Sequence, residues 1–151
     1  MSVEAKLAEL GLSVPEVAKP VAAYIPAVRS GSHIFTSGQL PMRSGQLIAT
    51  GKVGGEVTPE VAVECAQQCA LNALAAVKAE LGSLDDVRRV VKVVCFVAST
   101  PDFTGQPQIA NGVSELLGKV FGEAGIHARS AVGVPVLPLD APVEVELIVE
   151  V

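Results

Sequence analysis

The last stretch of the chain, PVEVELIVEV, alternates with a period of two. Val143, Val145, Leu147, Val149 and Val151 share one face, and Glu144, Glu146, Ile148 and Glu150 share the other. That pattern predicts a strand with one face on a core. The stretch VRRVVKVVCFVAS behaves differently: Val87, Val90, Val91, Val93, Val94, Phe96 and Val97 form a largely β-branched run without clean alternation. It reads as a strand apolar on both sides, which has to be covered on both. RSAVGVPV reads as a further strand, paired with the last one across a turn around Pro138 to Ala141.

A period near 3.6 appears in TPEVAVECAQQCALNALAAVKAELG. Thr58 is the predicted N-cap, Pro59 takes the first helical position, and Gly82 lies just past the end. Val61, Cys65, Cys69, Asn72, Ala73 and Ala76 make one face small, so this helix can lie close on a sheet. A second helix, QPQIANGVSELLGKVFGEAG, carries a core stripe of Ile109, Val113, Leu116, Leu117 and Val120 and ends at Gly122 or Gly125. The opening MSVEAKLAELGL predicts a short amphipathic helix. Pro15, Pro20 and Pro26 then keep a lead-in extended up to a first strand containing Tyr24 to Val28. HIFTSGQLP reads as a second strand ending at Gly38, and RSGQ as a turn toward Leu47 and Ile48.

This order predicts one α+β domain over residues 1–151, with residues 1–20 as N-terminal helix and lead-in and both long helices on one sheet face. Burying one Val is worth roughly 1.5–3 kcal/mol, a large fraction of a margin of about 5–15 kcal/mol. The sheet face without helices is therefore expected to be covered by copies of the same chain.

Composition sharpens this picture. Half the residues are hydrophobic but only 3% are aromatic, so the core is built from Val, Ala, Leu and Ile. A formal charge of -5 and few rings argue against a nucleic-acid partner. No apolar run approaches the roughly 18 residues needed to span a bilayer, and the N-terminus lacks a signal-peptide core. A cytoplasmic protein without a membrane partner is expected. Three cysteines, Cys65, Cys69 and Cys95, are an odd number, read as reduced thiols. Cys65 and Cys69 sit four apart on a helix but read as buried small hydrophobes, with no metal site completed around them. GKVGGE lacks the spacing of a phosphate loop and reads as a mobile turn. His33 and His127 stand in no nucleophile motif and read as structural or surface residues.

Two charges stand out. Arg129 opens a strand with no other charge in its next ten residues. It is either a strand-end arginine reaching solvent or an acidic neighbour, or a planar fork for a small carboxylate. Glu144 is likewise either a solvated carboxylate on a sheet face or part of a site.

Several stretches taken together, YIPAV, FTSGQLP, VVKVVCFVASTPDF, IANGVSELL and HARSAVGVPVLPLDAPVEVE, resemble the Rid family of reactive-intermediate deaminases, also called the YjgF or L-PSP family. The resemblance covers nearly the whole chain after the first twenty or so residues. It implies a chorismate-mutase-like fold, with a mixed sheet and two long helices on one face. It further implies a homotrimer around a central barrel, with sites in the clefts between subunits. By position it implies Arg129 as the carboxylate-binding arginine, Tyr24, Ser37, Gly38 and Asn111 as substrate-binding residues, and Glu144 as the C-terminal strand glutamate. Many relatives carry cysteine two residues after the arginine. Here Ala131 stands there, and only its backbone carbonyl is available.

The implied reaction is hydrolysis of a 2-imino acid, or its enamine tautomer, to a 2-keto acid and ammonia, without a metal or organic cofactor. Arg129 would hold the carboxylate and Glu144 would orient water. A non-catalytic binding protein for small carboxylates is the main rival. Ribonuclease activity is disfavoured by the charge and the scarcity of rings.

Overall fold

The computed structural model describes residues 1–19 and 22–151, so Pro20, one of the prolines expected to stiffen the lead-in, lies outside the described residues. Helix α1 (Val3–Glu9) forms where expected. Ser2 caps it, its hydroxyl accepting from the Ala5 amide at 3.0 Å, while Val3 and Leu7 are buried.

Strands β1 (Ala27–Ser30) and β2 (His33–Thr36) form a hairpin across Gly31, whose φ of 61° suits glycine. A two-stranded ribbon follows, β3 (Met42–Arg43) and β4 (Gln46–Leu47). Its turn places Ser44 and Gly45 at positive φ, the geometry that matches strand twist in tight hairpins. Helix α2 (Pro59–Leu81) has Thr58 as N-cap, Pro59 in its first turn and Gly82 as C-cap, as the sequence predicts. Strand β5 (Arg89–Ala98), helix α3 (Gln106–Phe121), strand β6 (Ala128–Val134) and strand β7 (Val143–Glu150) complete the chain. The stretch that begins near Gln106 thus opens α3.

The main sheet has the order β1-β2-β7-β5-β6. All neighbours are antiparallel except β5 and β6, which are parallel and joined through α3. This corrects the expected pairing of the last two strands, because β5 lies between β6 and β7. The most apolar strand takes the centre, where both neighbours bury it, and the segment around Pro138 carries the chain across rather than closing a hairpin.

Strand β5 also explains its own irregular pattern. A bulge between Val90 and Lys92 inserts Val91, and beyond it Val93, Cys95 and Val97 are buried while Lys92, Val94 and Phe96 are half-buried on the other face. Alternation exists but changes phase once. The first strand begins later than expected, at Ala27, leaving Tyr24 and Ile25 in the segment before it. Pro26 has no N–H to give a ladder.

Both long helices pack on one face. Helix α2 lies over β7, β2 and β1, and α3 over β5 and β6. Cys65, Cys69, Ala73 and Ala76 are fully or almost fully buried against the sheet. The helices touch closely at Gly112, where a Cβ would come within 2.6 Å of the Val63 carbonyl oxygen. The GKVGGE loop is tied down rather than loose. Val53 is fully buried, Glu56 accepts from the Lys52 amide at 2.9 Å, and Lys52 pairs with Asp140. The opposite sheet face carries Val28, Phe35 and Val132, all exposed, beside half-buried Val94, Phe96 and Ile148. No described helix is long and apolar enough to cross a membrane.

Candidate functional site

Arg129 is the second residue of β6, in register with buried Val93, so its side chain leaves the sheet on the helix-covered face and meets α3. One guanidinium nitrogen, Nη1, donates to Asn111 Oδ1 at 2.8 Å and to Ser114 Oγ at 3.2 Å. Asn111 and Ser114 lie three apart on α3, one above the other on the same side. Ser114 Oγ is 2.8 Å from His127 Nε2, and His127 Nδ1 is 2.6 Å from the Gly125 carbonyl oxygen. A carbonyl only accepts, so a neutral His127 carries its proton on Nδ1 and receives the Ser114 hydroxyl hydrogen at Nε2.

Among the described residues no carboxylate lies within 4.0 Å of Arg129. The ion-paired reading of this arginine therefore finds no partner among the described residues. Both hydrogen bonds fall on Nη1, which leaves the Nε–Nη2 edge without a side-chain or backbone acceptor among those residues. Two parallel N–H groups on that edge match the two oxygens of a carboxylate. Beside it lies a cleft of about 320 Å³ lined by Ser114, Gly118, Gly125, Ile126, His127 and Arg129.

A second cluster forms at the start of β7. Glu144 is in register with Phe96 and faces the side of the sheet without helices. Its carboxylate lies against Gly38, where a Cβ would come within 2.7 Å of Oε2, so only glycine leaves that space free. Burial pushes the Glu144 carboxyl above its ordinary value, and neighbouring Glu146 adds to the shift. Ser37 Oγ donates to the Ile25 carbonyl at 2.6 Å, and its amide donates to the Pro26 carbonyl at 2.7 Å. Those two bonds fasten the Tyr24 segment to the strand end. Tyr24, Gly38, Gln39, Leu40, Met42 and Leu139 border a cavity of about 220 Å³.

Within one chain the predicted residues thus fall into two groups. Asn111 and Arg129 come together on the helix face, and Tyr24, Ser37, Gly38 and Glu144 on the other. Ala131 sits on edge strand β6. The Val134 carbonyl accepts from the Ser99 amide toward β5, so by the two-residue period the Ala131 carbonyl points to the free edge. Ser114 was not among the predicted residues, and His127, expected to be structural or at the surface, bonds to Ser114 and the Gly125 carbonyl. Their signal was present as Ser114 one turn beyond Asn111 and His127 two residues before Arg129.

The thiols offer no reactive group. Burial pushes Cys65 up to about 11, Cys95 up to about 12, and Cys69 well above its ordinary value. No group of three or more His, Cys, Asp or Glu among the described residues could hold a metal ion.

A mixed five-stranded sheet with two long helices on one face defines an α+β protein of chorismate-mutase-like fold. The chain belongs to the YjgF, or Rid, family: the model described as "YjgF/chorismate mutase-like, putative endoribonuclease" matches residues 4–151. It is 45% identical to Protein TCP17 of Trypanosoma cruzi, over 98% of this chain and 93% of that protein. It is 34% identical to the 2-iminobutanoate/2-iminopropanoate deaminase of Dermatophagoides farinae, over 91% of this chain and 93% of that one. A crystal structure of a protein of unknown function from Agrobacterium tumefaciens superposes with a TM-score of 0.92 at 46% identity, covering 99% of this chain and 92% of that one.

Proposed function

We propose that the protein hydrolyses reactive 2-imino acids and their enamine tautomers to 2-keto acids and ammonia, in a cleft between subunits of a homotrimer. The observation that carries this reading is the Arg129 fork. Its Nη1 is anchored by Asn111 and Ser114, and its other edge meets no protein carboxylate among the described residues. A substrate carboxylate docks on that edge, a charge-assisted contact worth about 1.5–3 kcal/mol. The imine carbon is thereby held at a set distance and tilt.

Glu144 supplies the second function. A carboxylate whose proton affinity is raised by burial is a better base than a solvated one, so it draws a proton from the attacking water. Water adds to the imine carbon, the proton moves to nitrogen, and the carbon–nitrogen bond breaks to give the keto acid and ammonia. The outward-pointing Ala131 carbonyl accepts from the imine N–H and favours its protonated, electrophilic form. Ser37 and Tyr24 border the water side. Imines hydrolyse readily unaided, so positioning supplies most of the acceleration required.

Arg129 and Glu144 leave opposite faces of the same sheet, so a complete site draws them from two chains. The open apolar face with Val28, Phe35 and Val132 supports an assembly that covers it. Mixing Arg129→Ala and Glu144→Gln chains, each impaired alone, after unfolding and refolding tests this. Random reassembly into closed rings gives about one quarter of sites with both native residues, so activity should return toward that level. A mixture as inactive as its components would refute the shared site. A coupled assay in which an amino-acid oxidase generates the imine provides the readout.

A further inference from the structure

We infer that Ser114 and His127 are positioning residues for the carboxylate fork, fixing which edge of Arg129 faces the substrate. The inference rests on the proposed role of Arg129 and extends it to two residues that act on the substrate through Arg129. Its basis is the directed chain from the Gly125 carbonyl to His127 Nδ1, from His127 Nε2 to Ser114 Oγ, and from Ser114 Oγ to Arg129 Nη1, at 2.6, 2.8 and 3.2 Å.

Direction follows from donor and acceptor rules. Gly125 O cannot donate, so in the neutral ring Nδ1 holds the proton and Nε2 accepts. The Ser114 hydroxyl then spends its only hydrogen on His127 and turns its lone pairs to the guanidinium. Without His127 the hydroxyl is free to rotate and to aim its hydrogen at Arg129, where it repels rather than receives. Asn111 Oδ1 takes the other Nη1 hydrogen at 2.8 Å. A planar guanidinium held by two acceptors at one nitrogen has its remaining edge fixed in direction.

The backbone explains why the imidazole stays in place. Gly125 is buried in the short helical turn Gly122–Gly125, and a Cβ there would come within 2.2 Å of the Leu117 carbonyl oxygen. Only glycine lets this turn sit against α3, and its carbonyl is the one that orders the ring. Asn111, exposed on α3, cannot perform the same selection alone, because one acceptor leaves the guanidinium free to pivot about that bond.

The test compares Ser114→Ala, Ser114→Thr and His127→Gln in the full-length chain. Binding of 2-ketobutyrate is measured by titration calorimetry, and KM and kcat by the coupled imine assay. Ser114→Ala and His127→Gln should each raise Kd and KM about tenfold while kcat changes less than about twofold. Ser114→Thr, which keeps the hydroxyl, should restore wild-type values. Nitrogen-15 spectra of the wild-type ring should show Nδ1 protonated and Nε2 bare. Unchanged Kd and KM in folded Ser114→Ala, or a ring protonated at Nε2 in its neutral form, would overturn the inference while leaving Arg129 in its role. If the wild-type chain binds no keto acid and accelerates no imine decay, while Arg129→Ala behaves identically, the proposed function fails and this inference goes with it.

Discussion

The two charged groups of the candidate site are held in opposite ways. Arg129 donates hydrogen bonds to Asn111 and Ser114 of α3, with His127 behind the serine. Glu144 is held by crowding: its carboxylate fills the space a missing side chain leaves at Gly38, and burial rather than a donor sets its ionisation. A binding fork needs a fixed direction, which hydrogen bonds provide. A base needs an unsatisfied lone pair and a raised proton affinity, which tight donors would remove.

The sharpest way to break this contrast is to change the proposed base without changing its shape. Glu144→Gln should lower kcat by about 10²-fold or more, with KM little altered, as measured in the coupled imine assay. It should also remove the acid limb of the pH–rate profile. That limb lies above the ordinary carboxylate value of 4.5, because burial raises the Glu144 value. The stability consequence has the opposite sense. A carboxyl with a raised folded value favours folding when protonated and loses that contribution as pH rises through the folded value. Glu144→Gln should therefore be at least as stable as the native chain at neutral pH, with the difference shrinking toward acid in denaturant titrations.

Arg129→Ala should act on binding instead, lowering kcat/KM and keto-acid affinity by about 10- to 150-fold. Circular dichroism should remain native, since Arg129 is half-buried at a sheet edge and makes no ion pair among the described residues. Gly38→Ala probes the crowding itself. The added methyl meets the movable end of Glu144, so the melting temperature should shift little while kcat falls about tenfold as the carboxylate is displaced. A Gly38→Ala chain with native kcat would mean that the closeness of Gly38 and Glu144 has no part in the chemistry.

Much of the architecture was legible because it rests on local chemistry. The caps of α2 at Thr58 and Gly82, the alternation along β7 and the apolar stripe of α3 are each written in a short window. Neighbour relations were not, because strand order depends on contacts between distant segments. That is why β6 and β7 read as a pair although β5 separates them. The bulge in β5 was visible only as a failure of alternation, since a single inserted residue looks like a strand with two apolar faces. Within the site, Arg129 and Glu144 stood out as charges in aliphatic strands. Ser114 and His127 did not, because an ordinary serine and histidine acquire meaning only when α3 folds across the start of β6.

The extra residue in β5 makes the sheet tolerant in one direction and fragile in the other. Excising Val91 would leave Val90 and Val93 addressed to the helices and Lys92 to the far side, so the strand would merely straighten. Adding one residue between Val93 and Val94 would reverse every side chain beyond it. Phe96 would be driven into the buried layer under α3, and small buried Cys95 would be turned outward.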